Sequence, residues 1–498
     1  MKKITANFHL VAVLAGSLFL YLAFPTSNAS IDGYTYAASV KYGEELFHPH
    51  HLLYNLQGYA LHRAVSSFFD EADALYFMIG LNGIYAFLIL VVLLFCLRKM
   101  GAEKRKVPWL LMIAAFSFGP WRFATENETY ILPILLSVTA SYFWINGLQN
   151  RKGSQFALSG FFAALAILFH QLHIFWWLGL LAGCLLLKGP GEVKRAVVFT
   201  APALIIPLAY LLALHHLGLE LSLAQLQQYA LHEYMRGNAS AGIGYMSFVL
   251  TPISLFRSFF QVHGYVWKML LIEKAFWIPA IISLFLAIAG LFFLLKRKWQ
   301  LNRTFLPVAE IHLLILLLTL VFAFLSYGNA EFLAGIPVIL VILMACFKYV
   351  STRGLAAIGG ALLVWNFWFG IWPLYHFGMQ QDEMIARYMM SSPESVFILE
   401  DPVRPASIMY YQSHTAPLSA FRCERIDSSE IRLMVEEASV SGKAVFSNCG
   451  GQPQVMSRAA LLAAEGSAGV LSDFETEVAD SAQSFNGWHF LYTVRNRQ

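Results

Sequence analysis

Long apolar runs alternate with short polar connections along the first three quarters of the chain. Many of these runs approach the ~20 residues that a helix needs to cross a bilayer. We therefore predict a polytopic α-helical membrane protein, with about eleven transmembrane helices in a transmembrane domain over residues 1–374. The predicted spans lie near residues 10–24, 75–97, 107–121, 130–148, 156–169, 174–187, a seventh ending near 214, then 275–295, 305–325, 333–347 and 355–374.

The last segment, residues 375–498, has a different pattern. Short β-type runs such as SVFILED and KAVFSNCG alternate with helix-type runs such as ASIMYYQ and EIRLMVEEA. This alternation predicts a small α/β domain of ordinary size. It contains Cys423 and Cys449, which are a plausible disulfide if the domain faces an oxidising compartment, whereas the other three cysteines fall in apolar spans.

Basic residues set the predicted orientation. The predicted inner connections contain 18 of the 34 Lys and Arg residues, so the positive-inside rule places the N-terminus in the cytoplasm. An odd number of spans then makes the C-terminal domain extracytoplasmic. We expect a bacterial inner (plasma) membrane from the Lys-Lys start and the compact connections. Residues 27–29 resemble a signal-peptide cleavage site, but we favour a retained first helix.

Composition excludes an ordinary soluble enzyme. The chain is 58% hydrophobic and only 13% charged, compared with about 25% charged residues in soluble domains. Its net charge of +4 reflects mainly the predicted cytoplasmic connections, so we expect no nucleic-acid partner. The expected partners are membrane lipids.

The connection after the first span is unusually polar and aromatic. It begins with Asp32, close to the predicted membrane surface, where a carboxylate can act as a general base or bind a cation. The alternative is a helix N-cap, which spacing alone favours. The tyrosines Tyr34, Tyr36 and Tyr54 of the same connection are predicted substrate contacts.

Further carboxylates lie in other predicted outer connections. Glu126 and Glu128 flank Asn127 and could support Asp32 or share a metal. The alternative, which local evidence favours, is a capped start of the fourth span with acids in its first turn. Glu331 precedes the tenth span and is predicted either to line a cavity or to be solvated.

Most histidines also fall on the predicted outer side. His48, His50 and His51 suggest a zinc site, but Pro49 interrupts any helix between them, so hydrogen bonding to substrate or lipid head groups is the preferred interpretation. His170 and His173 are spaced to share a helical face and are predicted substrate contacts, with interface anchoring as the alternative.

Four cations of the outer connections could bind a lipid-linked phosphate. The residues are Arg122, Arg257, Lys268 and Lys274, together with His263. Arginine suits bidentate phosphate contacts. The alternative is snorkelling to lipid phosphates, which is the commoner role.

Together these features resemble the GT-C glycosyltransferase superfamily, which includes protein O-mannosyltransferases and the aminoarabinose transferase of lipid A. The resemblance rests on Asp32 in IDGYTYAASVKYGEELFHPHHLLY, on the acids of ATENETY, and on the late segment FLAGIPVIL. The sequence departs from the family pattern where Gly33 replaces a second acid and where Ala330-Glu331 replaces a basic or aromatic residue. Because of these departures, the resemblance does not determine the sugar donor or whether a divalent cation is required.

The resemblance implies a membrane glycosyltransferase. It would move a sugar from a polyprenyl-phosphate donor to an envelope lipid, polysaccharide or protein, with Asp32, Glu126 and Glu128 in the catalytic centre. A divalent cation is a candidate cofactor. The alternatives are a transporter or flippase and a non-catalytic factor for polysaccharide assembly. The polar residues gather at one face and no related halves are visible, which disfavours a transporter.

Overall fold

A computed structural model describes residues 2–68, 72–186, 191–236, 243–262, 264–450 and 470–497. Among these residues, six helices are long and apolar enough to cross a membrane: Ala74–Lys99, Ile131–Asn150, Glu192–His216, Lys274–Leu295, Arg303–Leu325 and Thr352–His376. Five shorter apolar helices coincide with the remaining predicted spans: Asn7–Ala23, Val107–Phe116, Gly153–Phe169, Gln171–Leu186 and Ala330–Ala345.

The helices before the C-terminal segment are α1 (Lys2–Ala23), α2 (Ile31–Tyr42), α3 (Tyr54–Ser66), α4 (Ala74–Lys99), α5 (Val107–Phe116), α6 (Phe118–Ala124), α7 (Ile131–Asn150), α8 (Gly153–Phe169), α9 (Ile174–Leu186), α10 (Glu192–Thr200), α11 (Ile205–His216), α12 (Leu223–Ala230), α13 (His232–Arg236), α14 (Tyr245–Arg257), α15 (Tyr265–Ile272), α16 (Trp277–Leu295), α17 (Leu306–Leu325), α18 (Ile336–Ala345), α19 (Thr352–Asn366) and α20 (Trp372–His376). Short 3₁₀ turns cover Pro49–His51, Gln171–His173, Ala201–Leu204, Lys274–Phe276, Arg303–Phe305 and Ala330–Leu333, and a π-helical turn covers Phe367–Ile371. Two-residue strands β1 (Gln300–Leu301) and β2 (Phe347–Lys348) form an antiparallel pair.

The predicted third span is broken at Ser117, which has an extended backbone. The apolar run continues beyond Ser117, but a separate helix, α6, begins at Phe118. The first N–H groups of α6 bond to another part of the chain. The N–H groups of Phe118 and Gly119 donate to the carbonyl oxygens of Phe259 and Ser258 at 3.0 and 2.9 Å. A Cβ atom on Gly119 would lie 3.2 Å from the Cα of Ala334, so only glycine fits this approach easily.

The C-terminal segment forms a five-stranded mixed sheet with order β4-β3-β5-β7-β6. The β3–β4 and β3–β5 pairs are parallel, and β5–β7 and β6–β7 are antiparallel. Its elements are α21 (Asp382–Ser391), β3 (Val396–Leu399), α22 (Val403–Ser413), β4 (Ala420–Arg422), a 3₁₀ turn (Cys423–Arg425), α23 (Ser428–Val440), β5 (Val445–Ser447), β6 (Phe474–Ser484) and β7 (Gly487–Asn496). A disulfide joins Cys423 to Cys449, with Cα atoms 6.1 Å apart. The other three cysteines are buried and free.

The sheet and its helices are fastened to the first connection of the chain. The side-chain amide of Asn28 donates to the carbonyl oxygens of Leu374 and Phe377, and its oxygen accepts the N–H of Met379. At the other end of α2, Lys41 and Tyr42 both donate to the carbonyl oxygen of Tyr411, at 2.9 and 2.8 Å. The helix α2 is therefore held between the apolar bundle and α22.

Candidate active site

Asp32 lies in the first turn of α2 and is exposed. The helix is capped by Ser30, whose hydroxyl accepts the N–H of Gly33 at 2.8 Å, so the interpretation of Asp32 as the N-cap is wrong. Among the described residues, no hydrogen bond or ion pair engages the Asp32 carboxylate. The next residue, Gly33, has little space for a side chain. A Cβ atom there would lie 3.2 Å from Ser30 Oγ and 3.3 Å from the carbonyl oxygen of Asn127.

Glu126 and Glu128 are both buried, each 5% exposed, and each is held by one hydrogen bond. Arg122 donates from Nε to Glu126 Oε2 at 2.9 Å, and Ser30 donates to Glu128 Oε1 at 2.6 Å. The predicted capping role of these glutamates is wrong, since α7 begins only at Ile131 and has no acid in its first turn. The second connection thus turns its carboxylates inward, towards the start of α2.

Two buried asparagines fix this connection. Asn82 of α4 donates to the carbonyl oxygens of both Glu126 and Glu128, each at 2.8 Å. Asn127 donates to the carbonyl oxygen of Gly33 at 2.7 Å and accepts from the Tyr54 hydroxyl at 2.8 Å. Because buried polar groups are expensive to leave unpaired, these bonds fix where the two carboxylates lie.

A third connection supplies Glu331. It stands in the 3₁₀ turn before α18, where the side chain of Asn329 accepts its backbone N–H at 3.0 Å. The hydroxyl of Tyr130 donates to Glu331 Oε2 at 3.0 Å. The predicted cavity-lining position therefore describes Glu331 better than simple solvation does, since it lines a small cavity of about 30 Å³ with His173.

The four carboxylates influence one another electrostatically. Although the Asp32 side chain is exposed, partial desolvation by the surrounding protein raises its pKa above the ordinary value, and the negative charges of Glu331 and Glu126 raise this pKa further. Burial raises the pKa of Glu128 well above its usual range, and Glu126 and Glu331 act in the same direction. A carboxylate with a raised pKa is a stronger base once it is deprotonated. The Asp32 carboxylate is thus free of hydrogen bonds from described residues and lies in a negatively charged environment.

A cavity of about 250 Å³ borders Glu126. Four cations line it: Arg122, Arg257, Lys268 and Arg404. Neither Arg257 nor Lys268 forms an ion pair with a described residue, and burial followed by the charge of Arg122 lowers the pKa of Arg257. An anion bound in this cavity would give Arg257 and Lys268 an ion-pair partner and would raise the pKa of Arg257. Of the predicted cations, Arg122, Arg257 and Lys268 line this cavity, Lys274 is not among its lining residues, and His263 lies outside the described residues.

Arg404 was not predicted from the sequence. It comes from α22, donates to the carbonyl oxygen of Ala29 at 2.6 Å and pairs with Asp382 at 3.5 Å. Asn28, Gln261, Tyr265 and Asn486 also line the cavity and were equally unpredicted. Since the sequence treats the C-terminal segment as separate, only the tertiary structure could show that it closes the cavity.

The predicted tyrosine contacts are mostly buried behind the carboxylates. Tyr36 and Tyr54 pack edge-to-face with ring centroids 5.6 Å apart, and Tyr34 lies 5.9 Å from the ring of Tyr411 in α22. All three are less than 10% exposed. They pack within the fold, and their direct contact with a substrate stays a prediction.

His170 and His173 are buried and do not anchor the protein at an interface. The ring of His170 accepts the N–H of Leu172 at 3.2 Å and lies 5.1 Å from the ring of Tyr130. His173 pairs with Ser137 at 2.6 Å. Since Tyr130 holds Glu331, these histidines pack behind the acidic residues, and a direct substrate contact stays a prediction.

His48, His50 and His51 come together, although Pro49 separates them in sequence. The 3₁₀ turn Pro49–His51 brings one nitrogen of each ring within 4.8 Å of the others. Burial lowers the pKa of His50 to about 4 and that of His51 well below its usual range, so these rings are neutral near pH 7. Pro49 does interrupt a regular helix here, but the turn still brings the three rings together.

Comparisons with known proteins place the fold. No protein-family model matches the chain, and no curated protein matches it by sequence. Several solved structures, however, align with the fold of this chain. The oligosaccharyltransferase of Archaeoglobus fulgidus in its apo form is 10% identical, with a TM-score of 0.51 over 89% of this chain and 69% of that one. The arabinofuranosyltransferase AftD from Mycobacteria is 12% identical, with a TM-score of 0.50 over 98% of this chain and 40% of that one.

The aminoarabinose transferase ArnT from Cupriavidus metallidurans, bound to undecaprenyl phosphate, aligns with a TM-score of 0.45 and 12% identity over 97% of each chain. The two alignments at 0.50 and above show that the chain has the fold of the GT-C glycosyltransferases, so the predicted resemblance is confirmed at the level of fold. With its apolar helices, this fold identifies an integral membrane protein.

Proposed function

We propose that this protein is a GT-C glycosyltransferase that moves a sugar from a polyprenyl-phosphate donor to a hydroxyl acceptor. One observation carries the proposal: Glu126 borders a cavity lined by four cations, and its charge acts on Asp32 of the first connection, as does the charge of Glu331 from the third. Such a pairing suits a reaction that removes a proton from an acceptor and releases a phosphate. A transporter would not require carboxylates and cations to be gathered at a single surface of the protein.

In the proposed reaction, the acceptor oxygen forms a bond to the anomeric carbon while the bond from that carbon to the phosphate oxygen breaks. The acceptor proton passes to the Asp32 carboxylate, and the bonding electron pair leaves with the polyprenyl phosphate. A single displacement of this kind inverts the anomeric configuration. Asp32 is suited to the role because it is exposed and its oxygens are not engaged by other described residues.

The cations would stabilise the leaving phosphate. Arg257 and Lys268 have no ion-pair partner among the described residues, whereas Arg122 already pairs with Glu126 and Arg404 with Asp382. Preorganised cations at the point where negative charge develops lower the barrier of such reactions. The first two are therefore the main candidates for direct contact with the phosphate.

A divalent cation at the carboxylates is not part of this proposal. Within the described ranges, the only group of three or more metal-ligating side chains close enough to share an ion consists of histidines, not of these acids. One oxygen of each glutamate in the centre is also engaged by Arg122, Ser30 or Tyr130. We therefore derive no step through a metal at this position.

The finer topology belongs to the same proposal. We infer eleven spans, a cytoplasmic N-terminus, a transmembrane domain over residues 1–374 and an extracytoplasmic α/β domain over 375–498. The six long and five short apolar helices support the count, and the distribution of basic residues supports the orientation. A bacterial inner membrane and an envelope lipid, polysaccharide or protein as acceptor complete the proposal.

The test uses the full-length protein in liposomes, with a panel of labelled polyprenyl-phosphate sugars and with envelope lipid, polysaccharide and peptide acceptors. We expect release of polyprenyl phosphate coupled to sugar transfer, with inversion at the anomeric carbon. Glu220→Gln, which changes an exposed carboxylate after α11, should transfer as the wild type does. Transport of the intact donor across the bilayer without cleavage would overturn the proposal in favour of a flippase.

A further inference from the structure

We propose that His48, His50 and His51 form a binding site for a transition-metal ion of the zinc class. The site lies in the connection between α2 and α3 and is separate from the carboxylates of the proposed reaction. It does not depend on that reaction, because its evidence is the arrangement of the imidazole rings alone.

The geometry is close to that of a three-histidine site. The rings of His48 and His51 stack with centroids 4.4 Å apart, and the ring of His50 stands edge-on to both at 4.5 and 4.6 Å. One nitrogen of each ring lies within 4.8 Å of the others. Ligand nitrogens around a tetrahedral zinc ion lie about 3.3 Å apart, so small ring rotations would bring all three to coordination distance.

The nitrogens also lack partners. His51 is only 1% exposed, yet neither of its ring nitrogens has a hydrogen bond within the described part of the chain. The Nδ1 atoms of His48 and His50 are buried and unpaired as well. Buried polar atoms nearly always have a partner, and a metal ion bound among the three rings would provide one.

The ligand set selects the class of metal. Neutral imidazole suits zinc, copper, nickel and iron, whereas calcium and magnesium prefer oxygen ligands. Glu45 and Glu233 both interact electrostatically with His48, so negative charge is available nearby to balance a divalent cation. Three protein nitrogens leave a fourth position for water or for one of these carboxylates.

The metal would fix the tyrosines that pack against His51. The ring of His51 packs edge-to-face on Tyr36 at 4.9 Å and lies 6.2 Å from the ring of Tyr54. Tyr54 in turn donates to Asn127, which lies between the two buried glutamates. The metal therefore has a positioning role: it would hold the aromatic layer on which the second connection rests.

The experiment uses full-length protein, purified in detergent with an affinity tag free of histidine, incubated with Zn²⁺ and passed through a desalting column. Metal content is measured by inductively coupled plasma mass spectrometry. We expect one zinc per chain in the wild type and in the control His215→Ala, which changes an exposed histidine of α11. His50→Ala should retain less than about a tenth of this zinc.

A second variant guards against misfolding of the first. His50→Cys keeps a metal ligand, so its Co²⁺ form should show a thiolate-to-cobalt charge-transfer band in the near ultraviolet that the wild type lacks. A wild type that retains no zinc would overturn the proposal. So would unchanged zinc content in a folded His50→Ala protein, or the absence of the charge-transfer band in His50→Cys.

Discussion

The group of four carboxylates and the three-histidine cluster differ in how their polar atoms are satisfied. In the carboxylate group, one oxygen each of Glu126, Glu128 and Glu331 accepts a hydrogen bond from protein. In the histidine cluster, four buried ring nitrogens have no partner in the described structure. The first is a site completed by the chain itself, with Asp32 left available for chemistry. The second needs a ligand from outside.

Removal of metal should separate the two sites most clearly. A ligand that binds only the folded state at 100 to 1,000 times its dissociation constant stabilises it by about 3–4 kcal/mol. We therefore expect a chelator to lower the thermal stability of the zinc-loaded wild type by several degrees and to leave its affinity for polyprenyl phosphate unchanged.

Two outcomes decide this prediction. His50→Ala should not respond to the chelator, because it has no metal to lose. A chelator that weakened polyprenyl-phosphate binding as strongly as it lowered stability would show that the two sites are one.

Loss of a cation from the cavity should weaken phosphate binding without changing the three-histidine cluster. A hydrogen bond to a charged group contributes about 1.5–3 kcal/mol, so Arg257→Gln should weaken polyprenyl-phosphate binding by roughly 10- to 100-fold. Zinc content should stay at the wild-type level. The measurement is binding of polyprenyl phosphate by native mass spectrometry, with Lys298→Gln, an exposed lysine beyond α16, as the control. Equal loss in both variants would indicate general attraction to anionic lipid instead.

The polar link between the two sites should respond to Asn127→Ala. This change removes one hydrogen bond to the carbonyl oxygen of Gly33 and one from the hydroxyl of Tyr54, each contributing about 0.5–1.5 kcal/mol. We expect lower thermal stability and weaker sugar transfer together. Asn150→Ala, at the exposed end of α7, should change neither. An Asn127→Ala protein as stable as the wild type would mean that the bonds to α2 and α3 do not hold the second connection.

The smallest effect concerns pH. The charge of Glu331 raises the pKa of Asp32, and a general base acts only when it is deprotonated, so activity should rise as pH passes upward through this pKa. Glu331→Gln removes the charge and lowers the pKa of Asp32. The acid limb of the pH–rate profile should therefore move to lower pH, whereas Glu310→Gln in α17 should leave it in place. A shift to higher pH would contradict this assignment.

The sequence predicts the apolar helices and the alternation of strands and helices in the C-terminal segment, because both depend on periodicity along the chain. It does not predict the break at Ser117, since the residues on both sides are apolar and the break depends on bonds to Ser258 and Phe259. That break turns Arg122 and the two glutamates towards α2.

The histidine cluster and Arg404 show the same limit. Pro49 ends a regular helix, but a 3₁₀ turn still brings the flanking rings together, which helical spacing cannot reveal. Arg404 comes from a segment that the sequence assigns to another domain. Side chains that meet only through tertiary contacts leave no periodic signal, so the local pattern alone favours Asp32 and Glu128 as caps, which the structure contradicts.

The central claim is that Asp32 removes the acceptor proton beside a separate phosphate site. It is tested most directly by two parallel measurements on Asp32→Asn: polyprenyl-phosphate affinity and the single-turnover rate of sugar transfer. We predict an affinity within about twofold of the wild type and a transfer rate lowered by about 100-fold or more, as expected for loss of a general base. A transfer rate close to that of the wild type would contradict the account.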